Sequence, residues 1–233
     1  SDVYEIKHDN MDYARLPIFH YMLMGYSQNA DGSGGSSGLA ELNGNDLLIT
    51  LGNWGISDID VTSTNILINL QSSTIMHELG HNLGLRHGGH DDVNDKPNYL
   101  SVMNYLYQLY GLPTVGSNEG DRYFAQKNLN AGSEVCGSVA MTNPYSGDYH
   151  DFKIDYSSTN VYLHESTISE LSGLNQSGSA AVDFNCDGDS IDSLSNFDVN
   201  FSGTSESLQS HHDWAAIDLR FQRYYQGNFH GAS

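Results

Sequence analysis

The sequence predicts an α+β fold arranged as two lobes of one domain. Three observations carry that expectation. Strand-type runs broken by turn residues occupy the chain before residue 52, and a helical spacing of apolar residues follows and stops at Gly84. Beyond residue 88 the texture changes to Gly-, Asn- and Asp-rich stretches with short apolar patches. The expected division is therefore 1–87 and 88–233, within the length a single domain reaches.

Each element has its own local reason. Residues 16–26 read as a buried strand closed by Gly25. The 31–38 tract holds no apolar residue and lacks the Lys-Ser/Thr ending of a phosphate-binding loop, so it is expected as a surface loop. Residues 39–51 suit a strand pair turning at Asn43-Gly44-Asn45. Within 65–83, Ile66, Leu70, Ile75, Met76, Leu79 and Leu83 fall at helical spacing, and Gly84 supplies the stop. Later, 163–171 suggests a short helix ending at Gly173. Residues 210–225 suggest a longer one, with Ser210 as N-cap and Trp214, Ile217, Phe221 and Tyr224 on one face. No internal repeat stands out.

Composition excludes several classes of function. Lys and Arg total 9 against 29 Asp and Glu, a net charge of -20, so the chain lacks the basic stripe a nucleic-acid partner requires. Charged residues are only 16% of the chain, so the imbalance reflects scarce cations more than abundant anions. No apolar run approaches the ~18 residues of a membrane span. The 38% hydrophobic and 11% aromatic content is enough for a core. Cys136 and Cys186 are compatible with one disulfide, whose loop of roughly 50 residues would contribute about 4 kcal/mol on the chain-entropy model, or with two buried thiols. The start at Ser1-Asp2-Val3 shows neither an initiator Met nor a leader, as for a signal peptide either removed or never present, and with the cysteine pair the expectation is a secreted, extracellular protein, a monomer.

The chemistry concentrates in His77-Glu78-Leu79-Gly80-His81-Asn82-Leu83-Gly84-Leu85-Arg86-His87. On a helix, residues i and i+4 share a face, so His77 and His81 can offer two imidazoles to one ion, for which zinc is the usual choice. Glu78 stands beside the pair as a base for an attacking water. Gly84 permits the sharp turn that brings His87 back as third ligand. His90 competes for that role from a Gly88-Gly89 loop, while Asp91, Asp92 and Asp95 are expected in solvent.

These positions resemble the metzincin clan of zinc peptidases, whose motif His-Glu-x-x-His-x-x-Gly-x-x-His is followed by a methionine turn. His77, Glu78, His81, Gly84 and His87 fill every fixed position, and Ser101-Val102-Met103-Asn104-Tyr105 resembles the turn. The resemblance implies Met103 as the hydrophobic floor under the metal and Tyr105 as a group reaching the zinc or the oxyanion. It implies a two-lobed fold, a small mixed sheet and active-site helix above an irregular C-terminal lobe. Protein or peptide substrates would pair with an edge strand in the cleft, for which residues 39–51 are the expected edge. A weaker similarity to secreted bacterial members runs from Phe19 through Asp155-Tyr156-Ser157. Gly88 after the third histidine matches none of the subfamily residues, and little before Leu16 suits the strand and long helix that clan members place first.

A second metal site is suggested by Asp183, Asn185, Asp187, Asp189 and Asp192, whose alternating oxygen side chains around Gly188 resemble the start of an EF-hand loop for Ca2+. Leu194 occupies the position of the closing carboxylate. The rival reading follows from this loop: a calcium-dependent extracellular binding module with a structural or vestigial zinc site. A zinc hydrolase acting on non-peptide amides or esters also remains open by motif. A gluzincin-type peptidase would need Glu165 or Glu170 as ligand, which His87 makes unnecessary.

Overall fold

The computed structural model describes residues 3–56, 61–117, 119–120, 152–219 and 229–231. It divides into two units, one of residues 1–86 with 216–233 and one of residues 87–215. Cys136 lies outside the described residues, and so does its expected pairing with Cys186.

The first unit opens with α1 (Val3–Asn10), in the region from which the sequence promised no element. Its Lys7 is buried and donates from Nζ to Asp46, whose carboxyl is pushed up by burial while Lys7 pulls it back down. β1 (Tyr21–Met24), β2 (Gly38–Glu41), β3 (Asp46–Ile49) and β8 (Phe229–Gly231) form a mixed sheet in the order β1-β3-β2-β8. The β2–β3 hairpin is antiparallel and pairs Leu39 with Leu48. Its turn holds Asn43 at φ +55, a conformation Asn tolerates.

Two expectations change here. The 16–26 strand shortens to β1, which sits at the sheet edge parallel to β3 with Met22 and Met24 about half exposed. The hairpin is interior, because β1 covers β3 and β8 pairs antiparallel with β2, so residues 39–51 are not a free edge.

α2 (Val61–Asn82) is the long helix, 22 residues. Its buried positions are mostly polar: Asn69, Ser73, His77 and His81 beside Leu70, Thr74, Glu78 and Asn82, two rows at four-residue spacing. Leu85 N–H bonds to Gly80 O and Gly84 N–H to His81 O, with Gly84 at φ +97, so the helix ends in a Schellman motif. Asn82 Nδ2 donates to Glu41 O and Asp46 O, and Asn43 N–H donates to His81 O. The metal-bearing end of α2 is thereby tied to the hairpin.

The second unit carries α3 (Tyr105–Gln108), β4 (Tyr162–His164) paired with β7 (Ser207–Gln209), β5 (Ile168–Ser169) paired with β6 (Ser193–Leu194), and α4 (Asp213–Ala216). One apolar cluster joins Leu163, Ile168, Leu174, Val182, Phe184, Val199 and Leu208. The expected helix over 163–171 is instead two short strands, each followed by a 3-10 turn, at Glu165–Thr167 and Glu170–Ser172, with Gly173 ending the second as expected. Among the described residues the expected 210–225 helix is present as α4 alone, with Trp214 more than half exposed. Phe221 and Tyr224 lie outside the described residues.

A repeat that the sequence reading missed organises this unit. Asp183-Phe184-Asn185-Cys186-Asp187-Gly188 and Asp198-Val199-Asn200-Phe201-Ser202-Gly203 share one backbone path. Cys186 and Phe201 both have positive φ (62° and 59°), as do Gly188 and Gly203. A buried glutamate anchors each loop. Glu170 Oε1 accepts from Phe184 and Asn185 N–H (2.7 and 3.3 Å), and Glu165 Oε1 accepts from Val199 and Asn200 N–H (2.7 and 3.4 Å). Their second oxygens accept from Asp192 and Glu206 N–H.

Candidate metal centre

The site is built from one continuous segment. One ligand atom each from His77, His81 and His87 lies within 4.8 Å of the others, and all three residues are buried. α2 places the first two one turn apart with Nε2 atoms 3.1 Å from each other. That is within a few tenths of the about 3.4 Å expected for two nitrogens on a tetrahedral zinc. His81 Nδ1–H donates to Leu85 O at 2.8 Å, a carbonyl that only accepts, so the Nε2 lone pair points at the shared centre. Gly84 provides the reversal that leads to His87. His90 is exposed and does not join the group.

Glu78 is fully buried, and neither carboxylate oxygen has a hydrogen-bond partner among the described residues. Burial pushes its carboxyl well above the usual range. A buried carboxylate without partners is costly unless a polar ligand completes the site. Three converging imidazoles and an orphaned carboxylate are the donor set and base that a zinc ion with its water would satisfy, so the residues fit that metal.

Gly38, expected in a surface loop, is buried as the first residue of β2 against Glu78. A β-carbon there would lie 2.6 Å from Glu78 Oε1 and 2.8 Å from Leu48 O. Gly88, the residue with no subfamily match, has a similar reason. A β-carbon on it would meet Asp91 Oδ1, Val93 O and Lys96 Nζ. Lys96 is buried and donates to Gly88 O (3.1 Å), to both Asp91 oxygens and to Gln209 O, fixing the chain just past His87. Asp91 is thus a half-buried ion-pair partner, not a solvated charge. Asp95 is half-buried at φ +58 with its carboxyl raised to about 6 by burial, and Asp92 alone of the three is exposed.

Met103 is fully buried in the 101–104 turn, which is pinned at Val102 N–H by Asp155 O and at Met103 N–H by Ser101 Oγ. Asn104 caps α3 by accepting from Leu106 N–H, and Tyr105, first residue of α3, lays its ring on His87 with centroids 4.3 Å apart. The turn residues expected from the sequence thus include one in direct contact with the third ligand.

The 183–192 loop is arranged differently from the expected ligand set. Asp183 spends its oxygens on Cys186, Asp187 and Gly188 N–H, and Asn185 Nδ2 donates to Asp187 and Asp192. Asp189 and Asp192 converge instead with Glu170, which the sequence suggests only as a ligand for a gluzincin-type zinc. Asp192 is held above the ordinary carboxylate range first by its contact with Asp187, whose own pKa is lowered first by Asp189 N–H. The signal for Glu170 and Glu165 was absent locally, because the loops they anchor begin more than ten residues later.

Among the described residues no helix is long and apolar enough to cross a membrane. Comparison with protein-family profiles, with curated proteins and with solved structures finds no match for this chain.

Proposed function

We propose that the chain is a secreted zinc-dependent endopeptidase of metzincin type. The single observation that carries this reading is the orphaned, buried Glu78 carboxylate beside three converging histidines. A histidine cluster kept only for structure needs no such base.

His77, His81 and His87 would hold the ion. Bound there, zinc supplies Lewis acidity and brings the pKa of a water toward neutrality. With the ion bound, Glu78 would take a proton from the attacking water as its oxygen bonds to the scissile carbonyl carbon, and would deliver it to the amide nitrogen as the C–N bond breaks. Burial raises the affinity of the Glu78 carboxyl for a proton, which favours its taking one up. Tyr105, whose ring packs on His87, would donate its phenolic hydrogen to the carbonyl oxygen as negative charge develops. Incubation of an unfolded protein with the zinc-loaded chain should give discrete fragments with new amino termini, and a zinc chelator should stop the reaction.

The Glu170, Asp189 and Asp192 oxygens support the rival reading, a Ca2+-dependent binding module. Ligand capture that follows added Ca2+ and ignores zinc chelation would favour it. Ca2+ and zinc are compatible in one protein, and then Ca2+ would raise the thermal midpoint without being needed for hydrolysis.

A further inference from the structure

We propose that Asp213 is a positioning residue for the metal centre, acting through Ser101 on the turn that sets Tyr105 against His87. The inference rests on the metal reading of His77, His81 and His87 but not on peptide hydrolysis.

Asp213 opens α4, far along the chain from the motif, and is fully buried. Four hydrogen bonds converge on its carboxylate. Tyr99 Oη donates to Oδ1 and Oδ2 (2.7 and 2.9 Å), and Ser101 Oγ and Ser157 N–H donate to Oδ2 (2.6 and 3.0 Å). A buried charge needs such partners. The Ser101 contact does more. With its hydrogen committed to Asp213, Ser101 Oγ keeps a lone pair for Met103 N–H at 3.1 Å. The next residue, Asn104, accepts from Leu106 N–H and donates to Lys96 O and Tyr99 O (2.7 and 2.9 Å). Tyr105 then meets the His87 ring. The chain of contacts Asp213, Ser101, Met103, Tyr105 and His87 lies wholly within one unit of the structure. Trp214 tightens the same corner, donating from Nε1 to Asp155, whose carbonyl accepts from Val102 N–H.

Tyr99 and Ser101 make this testable, because both hydroxyls donate to Asp213 but only the Ser101 hydroxyl also accepts from the turn, at Met103 N–H. Ser101→Ala and Tyr99→Phe each remove one donor from one buried carboxylate. Zn2+ affinity by competition with a chromophoric chelator is measured for wild type, Ser101→Ala, Tyr99→Phe and Asp213→Asn, with the thermal midpoint of each metal-free protein alongside. The expected result is a Zn2+ affinity about tenfold weaker in Ser101→Ala and Asp213→Asn, in the range that loss of outer-sphere support brings. Tyr99→Phe should stay within threefold of wild type while losing as much thermal stability as Ser101→Ala. Ser101→Thr, which keeps the hydroxyl, should restore the affinity. Equal weakening in Tyr99→Phe and Ser101→Ala, or wild-type affinity in Ser101→Ala, would overturn the role. Failure of Ser101→Ala to fold leaves Ser101→Thr and Tyr99→Phe to decide between the same outcomes. A wild type that holds no Zn2+ overturns the metal reading together with this one. A wild type that holds Zn2+ and cleaves nothing overturns the peptidase reading alone.

Discussion

Gly38 and Glu78 are in contact: a β-carbon on Gly38 would lie 2.6 Å from Glu78 Oε1 and 2.8 Å from its Cγ. The bare backbone of the first β2 residue is what allows the glutamate to lie fully buried beside the histidines.

Gly38→Ala should therefore move the carboxylate while leaving the three ligands in place. Leu48 O stands 2.8 Å from the same position and cannot give way. A displacement near 1 Å at a base costs on the order of a hundredfold in rate. The expected outcome is kcat/KM down by about that factor with Zn2+ affinity within threefold of wild type, measured on one preparation. A parallel loss of zinc would mean that the glycine supports the metal site itself.

The histidines separate cleanly. His77→Ala, His81→Ala and His87→Ala should each lose stoichiometric zinc, read by metal analysis after dialysis, because each removes one of three ligands. His90→Ala should keep it, since His90 is exposed and outside the group.

Asp95 gives a pH signature independent of the metal. Its carboxyl is raised from 3.8 to about 6 by burial alone, and its Oδ1 has no hydrogen-bond partner among the described residues. A raised folded pKa means that the folded state binds the proton more tightly. This contribution to stability is full below about pH 4 and is lost as pH rises through 6. Asp95→Asn removes the charge and keeps a residue that tolerates φ +58. Asn should stabilise the fold by about 2–3 kcal/mol at pH 7.5 and by almost nothing at pH 4, from paired denaturant titrations at the two pH values. A gain independent of pH would show that the carboxylate is not the source.

How much of this was readable beforehand follows from the range of the interactions. His77, His81, Gly84 and His87 were visible because helix periodicity and one turn relate them, and the hairpin was visible from Asn43-Gly44-Asn45. Gly38 was hidden, because its meaning depends on a helix forty residues later. Helical spacing in 163–171 misled. Glu165 and Glu170 turn their side chains to backbone N–H groups of distant loops, and the chain between them alternates strand and 3-10 turn to do so. The paired loops at 183 and 198 share their Asp-x-Asn spacing and glycine, yet Ser202 stands where the first loop has Asp187, enough to mask the repeat. Asp213 carried no local signal at all. Its three donors, in four contacts, come from residues 99, 101 and 157.

The most direct test of the central claim is hydrolysis of an unfolded protein by zinc-loaded wild type and Glu78→Ala, compared side by side at equal zinc content. Fragments from the wild type, with Glu78→Ala slower by about 10²–10⁴-fold and still holding zinc, is the predicted result. Equal activity in the two proteins would contradict the assignment of Glu78 as the base, and equal inactivity with zinc firmly bound would contradict the peptidase reading.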